Sequence, residues 1–265
     1  MGLLRRLLSR PASEPPIYQY SPAHTLVNDY SEFSDMTSYA IAERIRGYRK
    51  LNREAWAIIQ SRVAGWEEAA RRFYEAHDAY VFDHLSSNPS PDAVLAKLDR
   101  FNPEILRAIR AYRGKRLLEF GGGTGGFCEC MCREGFDVTY LDIPGSVKDF
   151  AEWRFKKYGL PIKVITSSPD VVKLEEDYDV VFTDAVFEHL IDPEQALREL
   201  LAHIRPGGLF VFLVDLSGPT VDDPQHRYVD IERLHGLIEQ ASFTCGGGRG
   251  TFASLWRKPA LAGTC

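Results

Sequence analysis

The sequence predicts an α/β protein with a mostly parallel seven-stranded sheet, helices on both faces and an N-terminal helical lid. Three observations lead there. An apolar run ending in an acid, Leu117-Leu118-Glu119-Phe120, breaks into Gly121-Gly122-Gly123-Thr124-Gly125-Gly126. From that point strand-like and helix-like patterns alternate towards the C-terminus, whereas residues 36–85 carry apolar residues at helical spacing. The chain has 265 residues, 45% hydrophobic and 12% aromatic, enough for one substantial core plus a small cap rather than two full domains.

Residues 1–10 are basic and amphipathic, which reads as a loose or simply packed terminus, with weak peripheral contact to an anionic membrane or the start of a transit peptide as the alternatives. Pro11, Pro15, Pro16 and Pro22, interspersed with tyrosines and without periodicity, predict an irregular arm over 1–35. Within the helical lid, 36–91, Ile41, Ile45 and Tyr48 and then Trp56, Ile59 and Val63 mark successive turns, and Trp56 and Trp66 read as packing residues. Ser86-Ser87-Asn88-Pro89-Ser90-Pro91 stops that pattern. The core, 92–265, opens with helices from Asp92 and near Asn102-Pro103, where the proline suits a first helical turn.

Strands are then expected over Lys115–Phe120, Phe136–Leu141, Ile162–Ile165, Asp179–Phe182 and Leu209–Val214, with short ones at Ser242–Cys245 and Thr251–Arg257. Helices separate them at Gly126–Glu134, Ser146–Tyr158 with Gly159 as its stop, Pro193–His203 and Asp230–Gln240.

A formal charge of −5 and a pI near 5.8 provide no basic footprint, so nucleic acid is not an expected partner. No run of 18 apolar residues occurs, so no transmembrane segment is expected. Cys128, Cys130, Cys132, Cys245 and Cys265 are odd in number, lack CxxC spacing and follow no secretory signal, which predicts free thiols in a reducing, cytoplasmic location. Cys128 and Cys132 share a helix face while Cys130 points elsewhere, a poor geometry for a tetrahedral metal; no metal is expected.

Glycines at a strand-to-helix turn let the backbone approach a ligand. Gly121, Gly123 and Gly126 satisfy GxGxxG, while Glu119, Gly121, Gly123 and Gly125 satisfy ExGxGxG. The acid separates the two. In a dinucleotide site the turn receives a pyrophosphate, which Glu119 would repel. S-adenosylmethionine instead brings an ammonium and a sulfonium, which a carboxylate favours. Asp142, 21 positions beyond Gly121 at the end of the second strand, suits the two ribose hydroxyls of either cofactor.

Residues 115–214 resemble class I S-adenosylmethionine-dependent methyltransferases of the small-molecule type. The motifs are the glycine turn, Asp179-Val180-Val181-Phe182-Thr183-Asp184-Ala185-Val186-Phe187-Glu188-His189-Leu190, and Arg205-Pro206-Gly207-Gly208. The resemblance implies a Rossmann-like core and release of S-adenosylhomocysteine. It implies that Glu119, Gly121, Gly123 and Gly125 hold the methionine portion, Asp142 the ribose and Ile143 the adenine. Ser167-Ser168-Pro169-Asp170 stands where the family has a Gly-Asp pair reaching the adenine amino group, which makes Ser168 and Asp170 the choices there. Asp184 and Ala185 should line the cofactor and the transfer channel.

His189, with Glu188 beside it, is the catalytic candidate, because an imidazole titrates near neutral pH and can take the acceptor's proton. Bracing of the loop is the other reading of that pair. Tyr80, in an aromatic lid segment, and His226 and Tyr228, in a polar loop after the fifth long strand, are the substrate-binding candidates. The substrate is a small molecule methylated on O, C, N or S, since no Asn-Pro-Pro-aromatic motif follows the fourth strand. The alternatives are a non-catalytic S-adenosylmethionine-binding regulator, disfavoured by the presence of both acids, and an NAD-dependent oxidoreductase, disfavoured by Glu119. Nothing in the sequence speaks to oligomeric state.

Overall fold

The computed structural model describes residues 25–260 apart from 77, 113, 114 and 169; the basic segment 1–10, most of the arm, Pro169 and Cys265 lie outside the described residues. Ahead of the sheet stand α1 (Leu26–Ser34), α2 (Ser38–Gln60), α3 (Trp66–Ala76) and α4 (Val81–Ser87), with a 3-10 turn at Asp78–Tyr80. α5 (Ala93–Phe101) and α6 (Pro103–Arg110) lead to β1 (Arg116–Phe120), α7 (Gly126–Arg133), β2 (Asp137–Asp142), α8 (Ser146–Lys157) and β3 (Lys163–Thr166). The chain continues through β4 (Tyr178–Asp184), a 3-10 turn at Phe187–His189, α9 (Pro193–Ala202), β5 (Ile204–Leu213), α10 (Ile231–Gln240), β6 (Thr244–Gly247) and β7 (Ala253–Arg257).

The sheet order is β3-β2-β1-β4-β5-β7-β6, with β1 to β5 parallel and β7 antiparallel to both of its neighbours. The chain winds outward from β1 to β3, then returns to place β4 on the other side of β1. That reversal is the topological switch point, and the crevice beyond the strand ends there is where open α/β sheets bind ligands.

Both faces of the sheet are apolar, as expected of a parallel sheet covered on two sides. Leu117, Val180, Phe182, Leu209 and Val211 pack towards α5 to α8, while Leu118, Phe120, Val181, Phe210 and Phe212 pack towards α9 and α10. This period-two alternation puts Glu119 on the Leu117 face, directed at the start of α7.

The irregular arm expected over 1–35 is corrected within the described residues, because Leu26–Ser34 is a helix. Thr25 caps it by accepting from Asn28 N at 3.2 Å. Leu26, Tyr30 and Phe33 line one side, with Tyr30 edge-on to Phe82 and Phe150 at 5.6 and 5.1 Å. Asp29 also faces inward, where Arg154 Nε donates to it at 2.9 Å and Lys157 Nζ at 3.0 Å. Burial pushes the Asp29 carboxyl up, but hydrogen bonds from Tyr158, Arg154 and Lys157 outweigh it and hold the group below its ordinary value. The prolines upstream and an acid on the buried face mask this helix in the sequence.

The other helices and strands lie where expected, with shifted ends at β5 to β7. β5 begins at Ile204 because Tyr178 pairs with it across an irregularity in the β4 register. Trp56 packs edge-on against Phe73 at 5.7 Å in the small apolar cluster that joins α2 to α3.

Candidate active site

Two cavities open at the C-terminal ends of β1, β2 and β4 and share Tyr80, His84, Gly121, Ala185 and His189 on their walls. The first is mainly apolar and lies over β2. Phe120, Leu141, Ile143, Val172 and Val186 line it, and Ser168 reaches its rim. The second, of about 410 Å³, lies over the glycine turn and carries most of the titratable groups.

The turn itself is bare backbone. Gly121 and Gly123 take φ of +72° and +53°, and a Cβ would lie 2.3 Å from a Val186 methyl at the first and 2.8 Å from the His84 ring at the second. Gly121 N donates to Leu141 O at 2.8 Å, tying β1 to β2 just before the chain turns. Gly125, in the left-handed region, starts α7, and the buried Glu119 accepts from Cys128 N at 3.1 Å in its first turn. An acid from the strand thereby caps the helix. Burial pushes Glu119 up to about 8, with Asp184 and Asp142 adding repulsion and the Cys128 bonds opposing it. A carboxyl held this way gains most from a cation placed beside it.

Asp142 spans the same turn. Its Oδ2 accepts from Gly123 N at 2.8 Å and from Tyr140 OH at 3.2 Å, and its Oδ1 accepts from Ile143 N at 2.8 Å. Burial raises its carboxyl above the ordinary value, although these bonds favour the ionised form. Each oxygen retains acceptor capacity towards the cavity. Ile143 and Ser168 stand on the first cavity's wall as expected, whereas Asp170 does not. It is ion-paired with Arg71 of α3 and its side chain is nearly half exposed, a correction to the expected cofactor contact.

At the end of β4, Asp184 is gripped by Lys97 Nζ of α5 at 2.6 and 2.8 Å. Ala185 adopts φ of +56°, unusual for a residue with a Cβ and of the kind that clusters at functional sites. His189 Nδ1 and Tyr74 OH lie 2.5 Å apart, and the His226 ring stacks edge-on to His189 at 4.6 Å. Burial, then His226 and His84, push His189 well below its ordinary value, so its imidazole is neutral near pH 7. Where Nδ1 donates to the tyrosine, Nε2 presents a lone pair; where the tyrosine donates, Nε2 carries the proton.

Glu188 is fully buried and pushed up to about 8 by burial, with Asp215 and Asp184 adding repulsion. Its Oε1 accepts from Asp215 N at 3.2 Å, its carbonyl accepts from Arg227 N at 3.0 Å, and its Oε2 has no hydrogen-bond partner among the described residues. Glu188 therefore ties the β4 loop to the loop beyond β5. The structure gathers His189, Glu188, Tyr80 and His226 around the second cavity. It does not bring Tyr228 there: that side chain is 76% exposed, a correction to its expected place on the substrate wall.

Sequence reasoning missed Lys97, His84 and Asp215; Tyr74, Asp83 and Asp223 lie in the aromatic segment 73–83 and the polar loop 222–228 that the sequence points to, but nothing there singles them out as site residues. Lys97, His84 and Asp215 reach the cavities from a helix or strand end with no local motif to announce them. Among the described residues, no helix is long and apolar enough to cross a membrane.

A family described as a methyltransferase domain matches residues 94–241. A ubiquinone biosynthesis O-methyltransferase of Paramagnetospirillum magneticum is 27% identical over 180 residues, 68% of this chain and 65% of that protein. The protein of the same name from Photorhabdus laumondii is 31% identical over 121 residues, 43% of this chain and 50% of that one. The chain thus spans less than two thirds of the length of these curated relatives. An O-methyltransferase family protein from Burkholderia thailandensis shares the fold with a TM-score of 0.55 at 12% identity, over 83% of this chain and 72% of that one.

Proposed function

The chain belongs to the methyltransferase-domain family, and on that premise we propose that it transfers a methyl group from S-adenosylmethionine to a small molecule. The observation that carries this reading is Glu119, a buried carboxyl at the glycine turn, where a dinucleotide would bring a pyrophosphate. S-adenosylmethionine supplies a methyl group activated by its sulfonium, together with an ammonium whose charge suits Glu119.

The chain's own residues do the rest. Glu119 and the bare backbone at Gly121, Gly123 and Gly125 hold the methionyl end, and Asp142 accepts from the ribose hydroxyls. Ile143 and Ser168 border the adenine. Lys97 neutralises Asp184, and with Ala185 this strand end shapes the channel between cofactor and acceptor. His189 takes the acceptor's proton, its ring fixed by Tyr74, and Glu188 holds the loop that carries it. Alignment of nucleophile, methyl carbon and sulfur in a pocket poor in water supplies the remainder of the rate.

Residues 36–91 act as the cap over this crevice and 92–265 as the transferase core. Trp66 Nε1 donates to Gln225 O at 3.2 Å and Arg49 donates to Asp222 at 3.2 Å, so the cap grips the loop after β5. The names of the curated relatives favour oxygen as the acceptor atom. The test is incubation of the pure protein with methyl-labelled S-adenosylmethionine and a small-molecule extract. A new labelled metabolite, heavier by one methyl group, is the expected result; label found only in protein or RNA overturns the reading.

A further inference from the structure

The second cavity has more carboxyl groups than the proposed cofactor accounts for. With Asp184 neutralised by Lys97 and Glu119 assigned to the methionyl end, Asp83, Glu188, Asp215 and Asp223 remain on its wall. The three imidazoles among them, His84, His189 and His226, are held neutral by burial and add no compensating cation.

Two buried polar atoms on this wall lack hydrogen-bond partners among the described residues. Glu188 is fully buried with Oε2 unbonded, and His226 is 8% exposed with Nδ1 unbonded, 3.8 Å from an Asp215 oxygen. Buried polar groups without partners are costly, and those lining a ligand cavity find partners in the ligand.

The cap side of the cavity shows the imbalance most clearly. Asp83 of α4 faces it half-buried, without a hydrogen bond or ion pair to any described residue. Burial, then Asp223, push its carboxyl up to about 7. Arg49 eases it, but that guanidinium is engaged by Asp222 and by Tyr48 OH, each at 3.2 Å. The rings of Tyr48 and Tyr80 border the same space. Carboxylates short of water beside aromatic faces are the chemistry that recognises an organic cation.

Resting on the transferase reading above, we propose that the methyl acceptor is a small amine-bearing molecule whose ammonium group is held by Asp83 and Asp223 beside Tyr48 and Tyr80. The same wall disfavours phosphorylated and carboxylated acceptors.

Three phenols that share a ring and differ in tail charge test this: tyramine, 4-ethylphenol and 4-hydroxyphenylacetate. They are titrated calorimetrically into the full chain saturated with S-adenosylhomocysteine. Tyramine should bind about tenfold more tightly than 4-ethylphenol, as expected for one partly desolvated cation site, and the acid should bind more weakly than both. In the double variant Asp83→Asn, Asp223→Asn, the tyramine preference should disappear while affinity for S-adenosylhomocysteine is unchanged. These near-isosteric amides relieve carboxylate repulsion, so an undiminished melting temperature certifies the fold.

Equal or tighter binding of 4-ethylphenol or the acid, absence of tyramine binding, or a preference that survives in the double variant overturns the proposal. A wild-type chain that does not bind S-adenosylhomocysteine would contradict the transferase reading instead, and the three phenols titrated alone would still decide the charge preference.

Discussion

The two halves of the crevice are built differently. The proposed cofactor side comes mostly from one stretch of chain, Glu119 to Ile143, and its acids are tied to backbone amides: Asp142 to Gly123 and Ile143, Glu119 to Cys128. The proposed acceptor side is assembled from α2, α4, the β4 loop and the loop after β5, and it leaves Glu188 Oε2 and His226 Nδ1 without partners among the described residues. The first half is preorganised for one ligand through backbone geometry. The second gathers side chains from remote segments, where a substitution changes preference without disturbing the sheet.

The sharpest way to break that division is at His189, where the halves meet. His189→Ala should lower kcat about 100-fold or more, the scale of general-base catalysis, and leave S-adenosylhomocysteine affinity intact by calorimetry. An equal loss of both would make the residue a brace. On the cofactor side, Asp142→Asn keeps one acceptor oxygen and loses the charge. We expect cofactor affinity to fall by about tenfold to 100-fold, on the scale of a hydrogen bond to a charged group, with little change in the KM for the acceptor.

Tyr74→Phe removes the hydroxyl beside His189 Nδ1 and sharpens the comparison from the cap. Steady-state kinetics should show kcat lower by about tenfold, roughly one hydrogen bond, with a displaced pH profile and little effect on cofactor binding. An unchanged profile would remove the tyrosine from the mechanism. Tyr228→Ala should alter neither half, with kcat/KM within about twofold of wild type, as for an exposed side chain away from the site.

How much of this was legible in the sequence follows the same division. The β/α alternation, the glycine turn, Glu119 and Asp142 lie close together in the chain, and their spacing is imposed by one strand and one helix at a time. The helix Leu26–Ser34 escaped notice because Asp29, paired with Arg154 some 125 positions away, sits where a hydrophobe was expected. Sequence position points Asp170 and Tyr228 at the crevice, but an ion pair with Arg71 and solvent exposure take them elsewhere. Lys97 and His84 reach the cavities through packing of α5 and of the cap on the core, which no local pattern encodes.

Glu119 makes the central claim testable through its proton. Its folded-state value near 8 lies above the ordinary 4.5. Between those values the folded chain keeps a proton that the unfolded chain has released, so this group's contribution to stability is fully present below about pH 4.5 and is lost as pH rises through about 8. A ligand whose cation pairs with the carboxylate must displace that proton. The decisive measurement is therefore calorimetric titration of S-adenosylmethionine and of NAD, from about pH 6 to about pH 8, in two buffers of different ionisation enthalpy. The wild-type chain should bind S-adenosylmethionine with proton release and an affinity that strengthens towards pH 8. Glu119→Gln should bind it about 100-fold more weakly, without proton release, and NAD should not bind. Binding of NAD in preference, or a Glu119→Gln chain indistinguishable from wild type, would contradict the assignment of the turn.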